Sequence, residues 1–268
     1  MLKQRIITAL ILLPIALGGF FLLDGWAFAL FIGAVVTLGA WEWARLAGLS
    51  VQSQRVAYAL VVVAMLYGTY LLPVLAPWLL GAAVFWWLLA TLLVLNYPDS
   101  SRYWGGLPGK LLIGLLILLP AWQGLVQLKQ WPQANGLIIA VMVLVWGADI
   151  GAYFAGKAFG KRKLAPRVSP GKSWEGFFGG LAASLLITLA VGLQQGWSTS
   201  GLLLALAGAV LVVAASVIGD LTESMFKRQS GIKDSSNLLP GHGGVLDRID
   251  SLTAAIPVFA VLLWMAAP

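Results

Sequence analysis

GLLLALAGAVLVVAASVIGDLTESMFKRQSGIKDSSNLLPGHGGVLDRID, residues 201–250, joins two opposite kinds of sequence. Residues 201–219 carry no charged side chain. A helix rising about 1.5 Å per residue from Gly201 reaches Asp220 after about 30 Å, the thickness of a bilayer's hydrocarbon core. Residues 224–250 are instead polar, glycine-rich and dense in both charges. Packing does not call for such a segment in an apolar chain. Carboxylates beside clustered Lys and Arg at a membrane edge point to a site for an ion or a phosphate.

The rest of the chain repeats the first kind. Of 268 residues, 60% are hydrophobic and 10% charged, against about 25% charged in soluble domains. Apolar runs recur at roughly 6–23, 26–47, 56–72, 78–96, 110–128, 136–156, 174–193, 200–221 and 251–267. The expected fold is therefore an all-α polytopic integral membrane protein of about nine transmembrane helices. Pro73 and Pro77 make the third and fourth spans a candidate tilted or broken pair. A β-barrel would alternate in and out over about 10 residues instead. The first run is too long for a signal-peptide core and reads as a retained helix. Without cysteine there is neither a disulfide nor a thiolate metal site. The net charge of +7 suits topology, anionic lipid or a phosphate-bearing substrate. No long soluble domain remains to bind nucleic acid.

With the N-terminus cytoplasmic, this map puts every Lys and Arg except Lys129 on the cytoplasmic side, as the positive-inside rule asks. Only Asp24, Glu42 and Asp99 precede Asp149 among the acids; Glu175, Asp220, Glu223, Asp234, Asp247 and Asp250 follow it. Residues 1–135 thus read as a transmembrane scaffold of about five helices. Residues 136–268 read as the catalytic region, with cytoplasmic loops 157–173 and 222–250. No internal repeat is evident, which argues against a transporter of inverted halves.

Three constellations stand out. Ser216, Asp220 and Glu223 share a helical face at i, i+4 and i+7. Asp247 and Asp250 share one if their segment is helical, so two antiparallel spans can bring three carboxylates together. Oxygen-only ligation suits Mg²⁺; the alternative is a solvated loop in which these acids neutralise Lys227, Arg228, Lys233 and Arg248. The glycines flanking His242 allow close backbone approach and can aim N–H groups at an anion. His242, the only histidine, fits either a phosphate contact or a backbone-bonded loop residue.

Between Lys157 and Glu175 lie Lys161, Arg162, Lys163, Arg167 and Lys172 and no acid, a pattern suited to phosphate or to an anionic lipid surface. Gly171-Lys172-Ser173 opens the seventh span, where a helix N-terminus favours anions. It is not a P-loop, because Pro166 stands where the first glycine is needed. Asp149 lies about 12 Å inside the edge of the sixth span, and Gly147 and Gly151 allow a close helix neighbour. A charge at that depth reads as a site residue facing the bundle interior, or as an acid paired for packing. Glu42, between Trp41 and Trp43, reads as structural.

Ser224-x-x-Lys227-Arg228, Lys233-Asp234 and Leu239-Pro240-x-His242-Gly243-Gly244-x-x-Asp247-Arg248-x-Asp250 resemble the signature of the phosphatidate cytidylyltransferase (CDP-diacylglycerol synthase) family. The likeness extends to Asp149-Ile-Gly-Ala-Tyr153, Gly160-Lys161 and residues 169–176. It implies transfer of the cytidylyl group of CTP to phosphatidic acid, giving CDP-diacylglycerol and pyrophosphate, with Mg²⁺ and a monovalent cation such as K⁺. It implies a homodimer in a bacterial inner membrane, among membrane lipids, with the site facing the cytoplasm. Carried over by position, Asp220, Asp247 and Lys172 would be catalytic, and Asp220, Asp247 and Asp250 would hold the metal. Ser173, Lys227, Arg228, Lys233, Asp234, His242, Gly243, Gly244, Arg248 and Asp149 would bind substrate. The nearest rival, a CTP-dependent lipid kinase, would transfer the γ-phosphoryl group to an alcohol instead. The Asp-Gly-x-x-Ala-Arg pattern of the CDP-alcohol phosphotransferases is absent.

Overall fold

A computed structural model describes residues 2–266. Its helices are α1 (Leu2–Phe21), α2 (Gly25–Ala47), α3 (Gln52–Leu71), α4 (Ala76–Leu95), the single turn α5 (Ser101–Trp104), α6 (Leu107–Leu128), α7 (Ala134–Phe159), α8 (Trp174–Gln194), α9 (Thr199–Gln229) and α10 (Leu246–Ala266). A two-stranded antiparallel hairpin, β1 (Lys163–Ala165) and β2 (Ser169–Ser173), joins α7 to α8. Among the described residues, eight helices, α2–α4 and α6–α10, are long and apolar enough to cross a membrane, and this is a multi-pass membrane protein. The apolar part of α1, Ile6–Phe21, is shorter.

Capping explains the sharp helix starts. The Ser173 hydroxyl accepts from the Gly176 N–H (3.1 Å) to open α8, and Ser198 does the same for Gly201 (3.2 Å) to open α9. Pro73 opens a short turn, Pro73–Leu75, that splits α3 from α4. Two boundaries differ from the sequence reading. The helix expected to end at 221 runs on to Gln229, because Leu221, Met225 and Phe226 are buried and Glu223 pairs with Lys227 one turn on (3.3 Å). The last helix starts at Leu246, not 251, so the expected 222–250 loop shrinks to residues 230–245.

The expected 157–173 loop is largely the hairpin. Its base is clamped by the Glu175 carboxylate, which accepts from the backbone N–H groups of Lys161 (3.1 Å) and Arg162 (3.2 Å). Val168, at the tip, is buried, and its carbonyl accepts from Arg228 Nε (3.1 Å).

In lipid, helices gain little from a hydrophobic effect between them, so close packing and hydrogen bonds decide the arrangement. Small residues supply the closest contacts. A Cβ on Gly151 of α7 would lie 2.7 Å from both Ala183 Cβ and the Gly179 carbonyl of α8. One on Gly219 of α9 would lie 2.6 Å from the Asp250 carbonyl of α10. Trp43 and Trp104 pack on Phe226 at ring-centroid distances of 4.6 and 4.4 Å, tying α2 and α5 to the end of α9. At the opposite end of the bundle the buried Lys129 ammonium meets Asp24 (3.2 Å), Asn135 Oδ1 (2.7 Å) and the Phe20 carbonyl (3.0 Å).

Candidate active site

The extension of α9 and the early start of α10 put Asp220, Lys227, Asp247 and Asp250 on two helices that the Gly219 contact holds nearly backbone to backbone. Between them and α7 lies a cavity of about 490 Å³. Asp149, Asp220, Asp234, Asp247 and Asp250 line it, with Lys227, Arg248, Ser251 and the apolar Val145, Trp146 and Leu252. Helical spacing allowed three carboxylates from two antiparallel spans to meet if residues 247–250 were helical, and the resemblance named Asp220, Asp247 and Asp250; all three line this cavity.

Like charges this close require partners. Lys172, delivered by β2, places its ammonium 2.7 Å from Asp220 Oδ2, and the Ser224 hydroxyl donates to Oδ1 (3.2 Å). Lys227 sits between Asp247 Oδ1 (2.8 Å) and Glu223 Oε1 (3.3 Å). Asp247 Oδ2 also accepts from the Gly244 N–H (2.7 Å) and from the Ser235 N–H and hydroxyl (3.0 Å each). Asp250 Oδ1 accepts from the Ser251 N–H (2.7 Å). Apart from the Lys227 ammonium, neither oxygen of the buried Glu223 has a partner.

The glycine loop depends on its missing side chains. Gly243 has φ +85°, and a Cβ there would lie 2.7 Å from Asp247 Oδ2. A Cβ on Gly244 would collide with Ser235 Oγ and come within 2.5 Å of Glu42 Oε1. The Gly244 N–H therefore faces an anion, but one supplied by the protein itself. His242 is half-buried, and its Nδ1 has no partner.

Other expected residues stand outside the cavity wall. Ser173 is buried and caps α8; Lys233 is exposed; Arg228, also exposed, is bonded to the hairpin tip. Among the described residues, no three His, Asp or Glu side chains are close enough together to hold a metal as they stand. Asp220, Asp247 and Asp250 offer only oxygen to one cavity, the donor type that Mg²⁺ takes.

Sequence reasoning treated Glu42 as structural and left out Ser235 and Ser236. Glu42 has no exposed surface, and its carboxylate accepts from Ser236 Oγ (2.5 Å) and from the N–H groups of Val245 (3.0 Å) and Leu246 (2.6 Å). The available signal was an ionisable residue inside a span.

Fold and site together define a multi-pass membrane protein with a lysine-bridged acidic cavity at one end of its bundle. The chain belongs to the cytidylyltransferase family, whose model matches residues 3–266. It is 78% identical over 266 residues to the phosphatidate cytidylyltransferase of Pseudomonas aeruginosa, covering 99% of this chain and 98% of that one. It is 45% identical over 284 residues to the phosphatidate cytidylyltransferase of Haemophilus influenzae, covering 97% and 98%. The enzyme of the same name from Brucella suis matches over 132 residues at 49% identity, 48% of this chain and 45% of that one.

Proposed function

We propose that this protein transfers the cytidylyl group of CTP to phosphatidic acid, giving CDP-diacylglycerol and pyrophosphate for phospholipid biosynthesis. The single observation that carries the reading is the cavity where α7, α9 and α10 meet, in a chain 78% identical to a phosphatidate cytidylyltransferase. Asp220 lies toward the end of its span, where a lipid headgroup and a soluble nucleotide can both reach it.

An oxygen of the lipid phosphate attacks the α-phosphorus of CTP. The bond to the β-phosphate breaks, and pyrophosphate leaves with its electron pair. A phosphomonoester has its second pKa near 6, so it is already nucleophilic at neutral pH and no general base is required of His242. The protein's task is to align the two phosphates and neutralise their charge. Lys172 and Lys227 can turn from their carboxylates to phosphate oxygens, and Arg248 adds a further cation on the cavity wall. Lys233, Arg228 and the backbone of Gly243 and Gly244 would hold the nucleotide, as the family resemblance implies.

Asp220, Asp247 and Asp250 would hold Mg²⁺, which when bound neutralises charge on the triphosphate; K⁺ is proposed on the resemblance alone. The same reading places the cavity on the cytoplasmic face of a bacterial inner membrane and pairs the chain in a homodimer. The basic hairpin supports that face by the positive-inside rule.

The test supplies purified protein in detergent with phosphatidic acid, Mg²⁺ and CTP labelled separately at the α- and γ-phosphates. Label from the α-position in a lipid, with release of pyrophosphate, is expected. Label from the γ-position in a lipid alcohol would make the protein a kinase.

A further inference from the structure

One wall of the cavity is held by the half of the chain that carries little charge. Glu42 on α2 meets its partners 193 to 204 residues away in sequence. Its Oε1 faces the Val245 N–H and its Oε2 the Leu246 N–H. Since each oxygen faces an N–H, each accepts; a glutamine here would set its NH₂ against one of those donors. Val245 and Leu246 open α10, the helix that carries Asp247, Arg248 and Asp250. The first N–H groups of a helix lack partners within it and carry partial positive charge. Glu42 satisfies two of them from another helix.

The grip extends along the loop. Ser236 Oγ donates to Glu42, and Ser235 Oγ lies 3.3 Å from Glu42 Oε2 and 3.0 Å from Asp247 Oδ2. That hydroxyl has one proton, so it links the two carboxylates while donating to one at a time. Arg45 donates to the Ser235 carbonyl (3.2 Å), and Ser230 Oγ donates to the Leu46 carbonyl at the end of α2 (2.6 Å). Glu42 does not itself line the cavity.

We propose that Glu42 is a positioning residue for the transfer reaction: it fixes the start of α10 and the Ser235–Ser236 pair so that Asp247 meets the cavity in one orientation. The proposal rests on the reading of this cavity as the transfer site. A role in packing alone would cost folded protein; a positioning role costs turnover in protein that has folded.

The experiment uses the full chain in detergent, as wild type, Glu42→Gln and Ser236→Ala. It measures α-label transfer from CTP to phosphatidic acid, with gel filtration and thermal stability giving the folded fraction. Glu42→Gln should lower kcat on the order of 100-fold, as expected when reacting groups are misplaced by about 1 Å, with the KM for CTP within about threefold. Ser236→Ala, which leaves both backbone bonds to Glu42 in place, should lower kcat about threefold to tenfold and carries the test if Glu42→Gln does not fold. A folded Glu42→Gln with wild-type kcat overturns the proposal, as does activity that falls only in step with folded protein in both variants. Wild-type protein that transfers no α-label would overturn the transfer reading and this proposal with it. Active wild type beside an unimpaired Glu42→Gln overturns the positioning role alone.

Discussion

Replacing Lys227 by methionine keeps an unbranched side chain one atom shorter and removes its charge. The ammonium lies 2.8 Å from Asp247 and 3.3 Å from Glu223, and the three side chains are only 13%, 5% and 4% exposed. Asp247 keeps three other donors when Lys227 is lost, from Gly244 and Ser235; Glu223 keeps none. Removing one member of a buried ion pair costs about 3–5 kcal/mol, most of it the stranded charge. At about 2–4 °C per kcal/mol for a chain of this size, the melting temperature should fall by roughly 6–20 °C. The double variant Glu223→Gln/Lys227→Met removes the stranded charge and should recover at least half of that loss. It should not recover cytidylyl transfer, because the cation beside Asp247 is still missing. The assay is thermal unfolding in detergent, with α-label transfer measured well below the transition. Lys227→Met melting within 2 °C of wild type, or a double variant no more stable than the single, would refute the stranded-charge reasoning.

Three further outcomes follow from the same geometry. Asp220→Asn should lower kcat about 100- to 1000-fold, the scale of a lost electrostatic contact in a transition state, with little change in the KM for CTP; a wild-type rate would sink the assignment of Asp220 to the metal. Lys172→Met should lower kcat/KM for CTP about 10- to 100-fold, the value of one charge-assisted hydrogen bond, with the KM rising; an unchanged KM would count against a phosphate contact. Gly243→Ala should abolish most activity, since its Cβ would press on Asp247 Oδ2 at φ +85°, whereas Gly196→Ala, at φ +65° with open space around it, should cost only about 1–2 kcal/mol of backbone strain and leave transfer intact.

The start of α8 was legible because composition breaks where Ser173 can cap a helix. The end of α9 was not: residues 222–229 are polar enough to read as a loop, and only the burial of Leu221, Met225 and Phe226 shows an amphipathic turn. The hairpin left no trace, since strands of 3 and 5 residues are too short to show alternation. It is held by a carboxylate clamp at one end and a buried valine at the other. Asp220, Asp247 and Asp250 were legible because their spacing is local to α9 and α10. Glu42 was not, because every partner it has lies on the far side of the sequence and no local periodicity encodes them.

The two lysine–carboxylate pairs explain why a cavity with five aspartates is compatible with a folded protein. Lys172 and Lys227 approach from different elements, a hairpin and a helix, and each neutralises one carboxylate. Both are partly buried, so each pair contributes to holding α9 against β2 or α10. A phosphate-bearing substrate offers the same lysines a new anion, and a divalent cation offers the aspartates a new partner. Binding both would exchange ion pairs with little net loss of charge compensation. Either alone would leave one set of charges unmatched. On this argument CTP and Mg²⁺ should bind cooperatively: the affinity for CTP should drop at least tenfold in chelator, and Lys172→Met should weaken that coupling. Equal CTP affinity with and without Mg²⁺, measured by equilibrium binding to the wild-type protein, would show that the exchange does not occur.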